Sequence, residues 1–336
     1  MKDKVFIVAE LSANHNHKKD IAIQTIRAAK KAGADAVKLQ TYTADTITLD
    51  CRKEDFMIHG GLWDGYCLHD LYKEAYTPWE WHEELFHVAQ EEGLVCFSSP
   101  FDKTAVDFLE SLGNPVYKIA SFEITDIPLI SYVAAKKKPM VISTGIATMQ
   151  DIEAALDAAR EAGNEDITLL RCISQYPAPV KDANLLTIPD MRQRFGVKVG
   201  LSDHSIGNTL AVVSVALGAA MVEKHFILDR GIGGPDAAFS CEPAEFAGMV
   251  QAIRQAEEAL GQAYYPQEPT AIKGREFSRS LYVAEDIRKG ELLTEKNIRS
   301  VRPGYGLLPR FYPEVLGRKA SRVLKKGTAL TWADVE

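Results

Sequence analysis

A strand-like run followed by an amphipathic helical pattern recurs eight times between residues 5 and 261 of this 336-residue chain. The runs rich in Val and Ile are 5–10, 36–41, 95–100, 116–121, 139–144, 167–173, 197–203 and 221–228. Helical patterns between them end on glycine, as in residues 20–33, 149–163 and 243–261. Eight such units predict a (β/α)8 barrel, or TIM barrel. A doubly wound sheet is the alternative, but the first strand leads into "LSANHN" without the Gly-rich turn that such sheets usually carry.

The chain changes character after Gly261. Residues 1–262 are predicted to form the barrel, and residues 263–277 are polar with two prolines and no clear period, which indicates a linker. Residues 278–336 contain short β-type runs and two "KG" turns, so we expect a small β-rich C-terminal domain. A domain of that size is marginally stable alone, and we expect it to dock on another surface.

Composition excludes several classes of protein. With 46% hydrophobic residues the chain can fill a core, yet it lacks an apolar run of the ~20 residues that a membrane helix needs. The N-terminus meets an acid almost at once and does not resemble a signal peptide, so we expect a cytoplasmic protein. Five cysteines without a CxxC pair argue against a disulfide framework and against a cysteine-based zinc site. The net charge of −7 disfavours a nucleic-acid partner.

Polar residues that fall late in apolar strands are the candidate site residues, because barrel chemistry lies at the carboxyl ends of the strands. Lys38 and Gln40 share one face of the second strand, and an inward lysine is costly unless it meets an anion. The fourth strand ends with Lys118, Ser121 and Glu123, and other strands end with Ser99, Ser143 and Ser202. Two lysines at one mouth favour a site for phosphate and carboxylate groups. The alternative is that each lysine pairs with a barrel acid.

Two histidines at neighbouring strand ends indicate a metal site. His204 follows the seventh strand, and His225 lies late in the eighth. Neighbouring strands of a sheet lie ~4.8 Å apart, so the two side chains are expected to be close. Imidazole and oxygen ligands suit a divalent ion such as Mn, Fe, Co or Zn. Glu10 ends the first strand, and Asp236 follows the eighth on a Gly-rich loop, so both are expected at the same rim. The remaining histidines are predicted to lie in loops or on helix surfaces: His15, His17, His59, His69, His82 and His87.

Nine motifs together resemble the sialic acid (nonulosonic acid) synthase family over essentially the whole chain. They are "AELSANHN", "AVKLQTY", "SSPFD", "YKIASFEI", "ISTG", "YPAP", "GLSDHS", "EKHF" and "GGPDAAFS", followed by a "VRPGYG" module. The resemblance implies a metal-dependent enzyme that condenses phosphoenolpyruvate with an N-acetylated amino sugar. It also implies that the C-terminal domain is an antifreeze-like (SAF) domain.

The resemblance implies roles for the residues already selected. Lys38 and Lys118 would hold phosphoenolpyruvate with the hydroxyls of Ser99, Ser121, Ser143 and Ser202. Glu123 would lie beside the reacting carbons, and Glu10, Gln40, Tyr176 and Asp236 would contact the sugar; Glu123, Glu10 and Lys118 are the catalytic candidates. His204 and His225 would bind the metal, with Mn²⁺ expected and Mg²⁺ or Co²⁺ as alternatives. Arg302 would reach the sugar in the partner subunit of a domain-swapped homodimer.

Within the family, residues 61–85 and 171–191 look most like the pseudaminic acid synthases, whose sugar is 2,4-diacetamido-2,4,6-trideoxy-L-altrose. Two positions depart from the neuraminate-type pattern: Ser99 replaces a threonine, and Ser174 replaces an asparagine on the sugar side. Trp63 and Asp64, in a Gly-flanked loop, are further candidates for sugar contact. Neuraminate and legionaminate synthases are the alternative activities. A non-catalytic carbohydrate-binding protein is the alternative from another class.

Overall fold

A computed structural model describes residues 4–336 and divides the chain into two compact units, one ending at Gly261 and the other Gln262–Glu336. The first unit is a closed barrel of eight parallel strands in sequential order, so the predicted (β/α)8 fold is confirmed. The strands are β1 (Phe6–Glu10), β2 (Ala36–Thr41), β3 (Val95–Pro100), β4 (Tyr117–Ile119), β5 (Met140–Ser143), β6 (Ile167–Cys172), β7 (Lys198–Asp203) and β8 (Met221–His225).

Helices alternate with these strands and cover the outside of the barrel. They are α1 (Lys19–Lys31), α4 (His82–Glu91), α5 (Lys103–Ser111), α6 (Ile127–Ala134), α7 (Met149–Glu161), α8 (Thr187–Phe195), α9 (Thr209–Ala216) and α10 (Pro243–Leu260). Two short helices, α2 (Ala44–Ile47) and α3 (Leu68–Ala75), lie in the long segment between β2 and α4. Side-chain caps begin several helices: Asp102 accepts from two amides of α5, and Thr148 forms a capping box at α7.

Alternation along each strand separates an outer apolar layer from the barrel interior. Outward residues pack against the helices in two large clusters, which include Ile7, Val37 and Phe226 on one side and Ile119, Ile142 and Leu201 on the other. The inner face begins with an apolar floor of Val8, Ala36 and Phe97, against which Phe6, Val116 and Met221 also pack. Charged inner residues such as Glu10 and Lys38 come two positions later along the same strands, above that floor.

The second unit has its own small core and a different architecture. Strands β9 (Ser280–Val283) and β10 (Ile298–Val301) pair in antiparallel register, and a short helix, α11 (Tyr312–Val315), follows. Leu281, Ile287, Ile298 and Leu330 are among its fully buried apolar residues. The expectation of a small β-containing C-terminal domain is therefore confirmed. The linker boundaries stay a prediction; residues 262–277 include two single turns of 3-10 helix, at Pro269–Ala271 and Arg275–Phe277.

Among residues 4–336, no helix combines the length and the apolar character that crossing a bilayer requires. All five cysteines carry free thiols, and four of them are buried. Burial of a free thiol is typical of a cysteine that fills apolar space.

Candidate active site

Two lysines and two glutamates form a buried cluster inside the barrel, above the apolar floor. Lys38 Nζ lies 2.5 Å from Glu10 Oε2 and 3.8 Å from Glu223 Oε1, and Lys118 Nζ donates to Glu223 Oε1 at 3.0 Å. Strand register brings these groups together, since Lys38 on β2 lies opposite Glu10 on β1. Each lysine therefore pairs with a barrel acid, as the alternative interpretation expected, and the acids offset the cost of burying the ammonium groups.

The two carboxylates of this cluster differ in charge state. Burial raises the pKa of Glu10 to about 7, although Lys38 opposes that effect. Burial also acts to raise the pKa of Glu223, but Lys118 and Lys38 together lower it to about 2. Burial lowers the pKa of Lys118, whereas for Lys38 the effect of burial is outweighed by Glu10 and Glu223, which raise its pKa. The two buried lysines are donors that an anionic ligand can use.

Two of the four predicted serines, Ser99 and Ser202, contact the lysine–glutamate cluster. Ser99 accepts a hydrogen bond from Lys38 Nζ at 3.3 Å, and Ser202 donates to Glu223 Oε1 at 3.1 Å. Ser121 accepts from the backbone amide of Ile146 at 3.1 Å. The buried hydroxyl of Ser143 has no hydrogen-bond partner within residues 4–336 and remains available to a ligand.

The two predicted metal-binding histidines are close neighbours. Their ring centroids are 5.3 Å apart, and both side chains are buried. His204 Nδ1 lies 2.8 Å from the carbonyl oxygen of Ile173, which assigns the proton to Nδ1 and leaves the Nε2 lone pair free. Burial lowers the pKa of His204 to about 4 and lowers that of His225 well below its usual range, so both rings are neutral, the form that binds metal ions.

The donor set near these rings fits an ion held by two imidazoles. His225 Nδ1 is buried and has no hydrogen-bond partner in the described chain, and it lies 3.9 Å from Asp236 Oδ2. Residues 4–336 contain no group of three or more His, Cys, Asp or Glu side chains arranged to hold an ion. An ion at this place would therefore keep several coordination positions for water or substrate.

A cavity of about 430 Å³ opens above this interior, a volume typical of small-molecule sites. Seven predicted residues line it: Gln40, Trp63, Ser121, Glu123, Tyr176, His225 and Asp236. Burial raises the pKa of Glu123 to about 7, and burial also raises the pKa of Asp236, which accepts a hydrogen bond from Ser12. A carboxyl group with a pKa near 7 can both donate and accept a proton at neutral pH. Tyr176 packs on His204 with ring centroids 4.4 Å apart.

Gln40 connects the cavity to the lysine–glutamate cluster. Its Nε2 donates to Glu10 Oε1 at 2.8 Å and to Ser12 Oγ at 3.2 Å. Ser174, at the position that departs from the neuraminate-type pattern, donates to Ser121 Oγ at 2.8 Å. The cavity residues and the buried cluster thus form one continuous polar region. Arg302 is exposed in the second unit, and its predicted sugar contact stays a prediction.

Glu223 and Ser12 are site residues that the sequence reasoning missed. Glu223 lies two positions before His225 in β8, and the period of two already places both on the inner face. Its importance depends on the opposing lysines, which only the closed barrel brings near. Ser12 follows β1 and is recognisable only through its hydrogen bonds to Asp236 and Gln40.

The prediction that the other histidines lie in loops or on helix surfaces is wrong for His69 and His82, which lie on helices but are buried. His15 lies in a turn, as predicted, and it is also buried. His15 Nε2 lies 3.0 Å from Thr77 Oγ1, and His82 Nε2 lies 2.9 Å from Thr41 Oγ1. His69 Nε2 lies 3.0 Å from Asp45 Oδ1. These polar partners across different elements satisfy the rings inside the protein, and a local pattern cannot reveal them.

The fold and this site define a class of protein: a (β/α)8 barrel with inward lysines and a pair of neutral imidazoles at the carboxyl ends of its strands. A family model described as the NeuB family matches residues 25–265, and one for the SAF domain matches residues 278–336. The chain belongs to the NeuB family.

Individual relatives are similar over nearly the full chain. The chain is 50% identical to the pseudaminic acid synthase of Campylobacter jejuni, covering 99% of this chain and 97% of the relative. It is 34% identical to the N,N'-diacetyllegionaminic acid synthase of Legionella pneumophila, covering 98% and 94%. Among solved structures, the spore coat polysaccharide biosynthesis protein SpsE of Bacillus subtilis has a TM-score of 0.67 at 33% identity, covering 100% of this chain and 96% of that one.

Proposed function

We propose that this protein is a pseudaminic acid synthase. It condenses phosphoenolpyruvate with 2,4-diacetamido-2,4,6-trideoxy-L-altrose and water, and it releases pseudaminic acid and phosphate. The observation that carries the proposal is the 50% identity to pseudaminic acid synthases over nearly the whole chain, against 34% for a legionaminic acid synthase. The intact set of Lys38, Lys118, Glu123, His204 and His225 argues against a binding protein without activity.

The lysine–glutamate cluster is the proposed site for phosphoenolpyruvate. A phosphate or carboxylate group of the ligand would pair with the ammonium groups of Lys38 and Lys118 in place of the glutamates. Glu10 would be displaced most easily, because it is partly protonated near neutral pH. The hydroxyls of Ser99, Ser121, Ser143 and Ser202 supply further donors. Such preorganised charges stabilise the negative charge of the bound ligand without reorganisation during the reaction.

The cavity is the proposed site for the sugar, and Glu123 is the proposed acid–base group. When C3 of the enol attacks the aldehyde, positive charge develops at C2, and water then adds there as phosphate leaves. Glu123 lines the cavity, and one of its carboxyl oxygens has no hydrogen-bond partner within residues 4–336. Its pKa of about 7 suits proton transfer. Gln40, Tyr176 and Asp236 would orient the sugar.

His204 and His225 would hold the divalent ion, for which we propose Mn²⁺, with Mg²⁺ or Co²⁺ as alternatives. When bound, such an ion supplies Lewis-acid polarisation of the sugar aldehyde. We also propose a cytoplasmic location, where phosphoenolpyruvate is made.

Phosphate release tests the activity directly. The purified full chain is incubated with phosphoenolpyruvate, Mn²⁺ and one of three sugars: the trideoxy-altrose, the corresponding legionaminate precursor or N-acetylmannosamine. We expect phosphate release with the altrose sugar at a kcat/KM well above that of the other two, together with a nonulosonic acid of matching mass. A higher kcat/KM with either competitor would reassign the activity, and release with none of them would refute it.

We further propose a domain-swapped homodimer in which Arg302 completes the sugar site of the partner subunit. Mixing two inactive variants, Arg302→Ala and Glu123→Gln, tests this. After subunit exchange, the mixed dimer has one barrel with an intact Glu123 that receives Arg302 from the other subunit, so activity should return. Activity that stays absent in mixtures whose subunits have exchanged would contradict completion in trans.

A further inference from the structure

The long segment between β2 and α4, residues 42–81, forms a structure of its own over one side of the barrel mouth. It contains α2, a bridge that pairs Met57 with Cys67, and α3. Ile58 and Tyr66 are hydrogen-bonded through their backbones at 2.8 Å, and His69 Nε2 lies 3.0 Å from Asp45 Oδ1. We call it the β2–α4 segment. Its internal contacts give it a defined shape.

Trp63 links this segment to loops on another side of the barrel mouth. Its indole Nε1 donates to the carbonyl oxygen of Pro235 at 3.0 Å, a contact between residues 172 positions apart. Its ring also packs on Tyr176, with centroids 5.7 Å apart. The β2–α4 segment is thereby joined to the loops that carry the candidate sugar-contacting residues.

The side chains that this segment presents to the cavity are mainly apolar. Ile47, Ile58, Leu68, Leu71 and Ala75 line the cavity from the segment, and Phe101 joins them from the end of β3. We call these six residues the apolar wall. Most polar lining residues, which include Ser12, Gln40, Glu123, His225 and Asp236, come from other loops and strand ends, but Tyr42 and Tyr72 of the segment also line the cavity and carry hydroxyl groups. The lining that this segment supplies to the cavity is therefore mainly apolar, and the lining from the other strand ends is mainly polar.

We propose that the apolar wall receives the C6 end of the sugar and selects substrates whose C6 is a methyl group. This inference rests on the proposed function. In the reacting open-chain sugar, C1 is the aldehyde and must lie near His225 and the phosphoenolpyruvate site, so C6, at the opposite end, points away from them. A methyl group gains from burial against these side chains, whereas a hydroxymethyl group would lose its water and could regain a partner only by reaching the hydroxyl of Tyr42 or Tyr72.

The size of the expected selection follows from what apolar pockets achieve. An apolar pocket rejects an added hydroxyl by roughly 10- to 100-fold, through the cost of removing that hydroxyl from water, and not more strongly, because no polar group of the protein is left unpaired. We expect kcat/KM for the 6-deoxy sugar to exceed that for its 6-hydroxy analogue by about that factor. The two sugars must carry the same acetamido groups, so that only C6 differs.

Ile58→Thr tests the wall. Threonine keeps the β-branched shape and adds a hydroxyl that can bind a C6 hydroxyl, so the preference should fall at least roughly threefold. Ile47→Thr is a second variant, for the case that Ile58→Thr does not fold. Leu49→Thr is the matched control, because Leu49 belongs to the same segment but is 66% exposed and does not line the cavity. The control should keep the wild-type ratio.

The outcomes separate this inference from the proposed function. Equal kcat/KM for the two C6 partners in the wild-type protein would overturn the role of the wall while leaving the synthase activity in place. A preference that persists in folded Ile58→Thr and Ile47→Thr, or that falls equally in Leu49→Thr, would also overturn it. Failure of every sugar to release phosphate would overturn the proposed function itself.

Discussion

Replacing Glu223 by glutamine should destabilise the ligand-free barrel strongly. Glu223 is 4% exposed, and its carboxylate faces Lys118 Nζ at 3.0 Å and Lys38 Nζ at 3.8 Å. Glutamine keeps the shape and one oxygen but removes the negative charge. Two buried ammonium groups would then share a single acid, Glu10, whose pKa burial raises to about 7.

The magnitude follows from these distances. At an effective dielectric constant of about 20, unit charges 3.0 and 3.8 Å apart attract by about 5.5 and 4.4 kcal/mol. Part of this energy is recovered when the lysines lose a proton or attract water. Removal of one partner from a buried ion pair costs about 3–5 kcal/mol in measured cases, and we expect Glu223→Gln to fall in that range.

Urea denaturation followed by far-UV circular dichroism measures the effect, since the barrel contains α1 to α10 and therefore dominates the helical signal. Glu153→Gln is the matched control: Glu153 is an exposed residue of α7, and its change should shift stability by less than about 0.5 kcal/mol. Added phosphoenolpyruvate should return part of the lost stability, because its anionic groups replace the missing charge. If Glu223→Gln unfolded at the same urea concentration as Glu153→Gln, the assigned charge pairing would be refuted.

Three further predictions concern other residues. Glu123→Gln should leave phosphoenolpyruvate binding largely intact by calorimetry but abolish phosphate release; near-normal turnover would rule out its acid–base role. Burial lowers the pKa of His82 from 6.5 to about 4. Between pH 6.5 and 4 the unfolded chain therefore binds a proton at His82 that the folded chain does not bind. The free energy of unfolding falls as the pH is lowered through that range. His82→Gln should flatten this fall by up to about 1.4 kcal/mol per pH unit in urea titrations, and an unchanged slope would contradict the buried neutral ring. Trp63→Phe should raise the KM for the sugar by roughly 2- to 12-fold, because one hydrogen bond to Pro235 is lost. Trp332→Phe in the C-terminal unit is the control. Equal KM values in the two variants would show that the contact does not shape the site.

Much of the fold and many candidate site residues follow from the sequence alone. Runs rich in Val and Ile alternate with helical periods, and that alternation is enough to predict a parallel barrel, because each pattern is local. The carboxyl ends of parallel strands share one rim, so residues as distant as Lys38, Lys118, His204 and His225 are expected together without any knowledge of their contacts.

The tertiary structure decides which of these groups pair and what surrounds them. The ion pairs of Lys38 with Glu10 and of Lys118 with Glu223 depend on strand register and barrel closure, and a side chain's local pattern does not encode its partner across the barrel. His82 is likewise buried because Thr41 faces it from another element. The apolar wall exists because the β2–α4 segment folds back over the mouth and Trp63 joins it to Pro235. Burial and charge pairing are long-range properties, and they appear only when the whole barrel has closed.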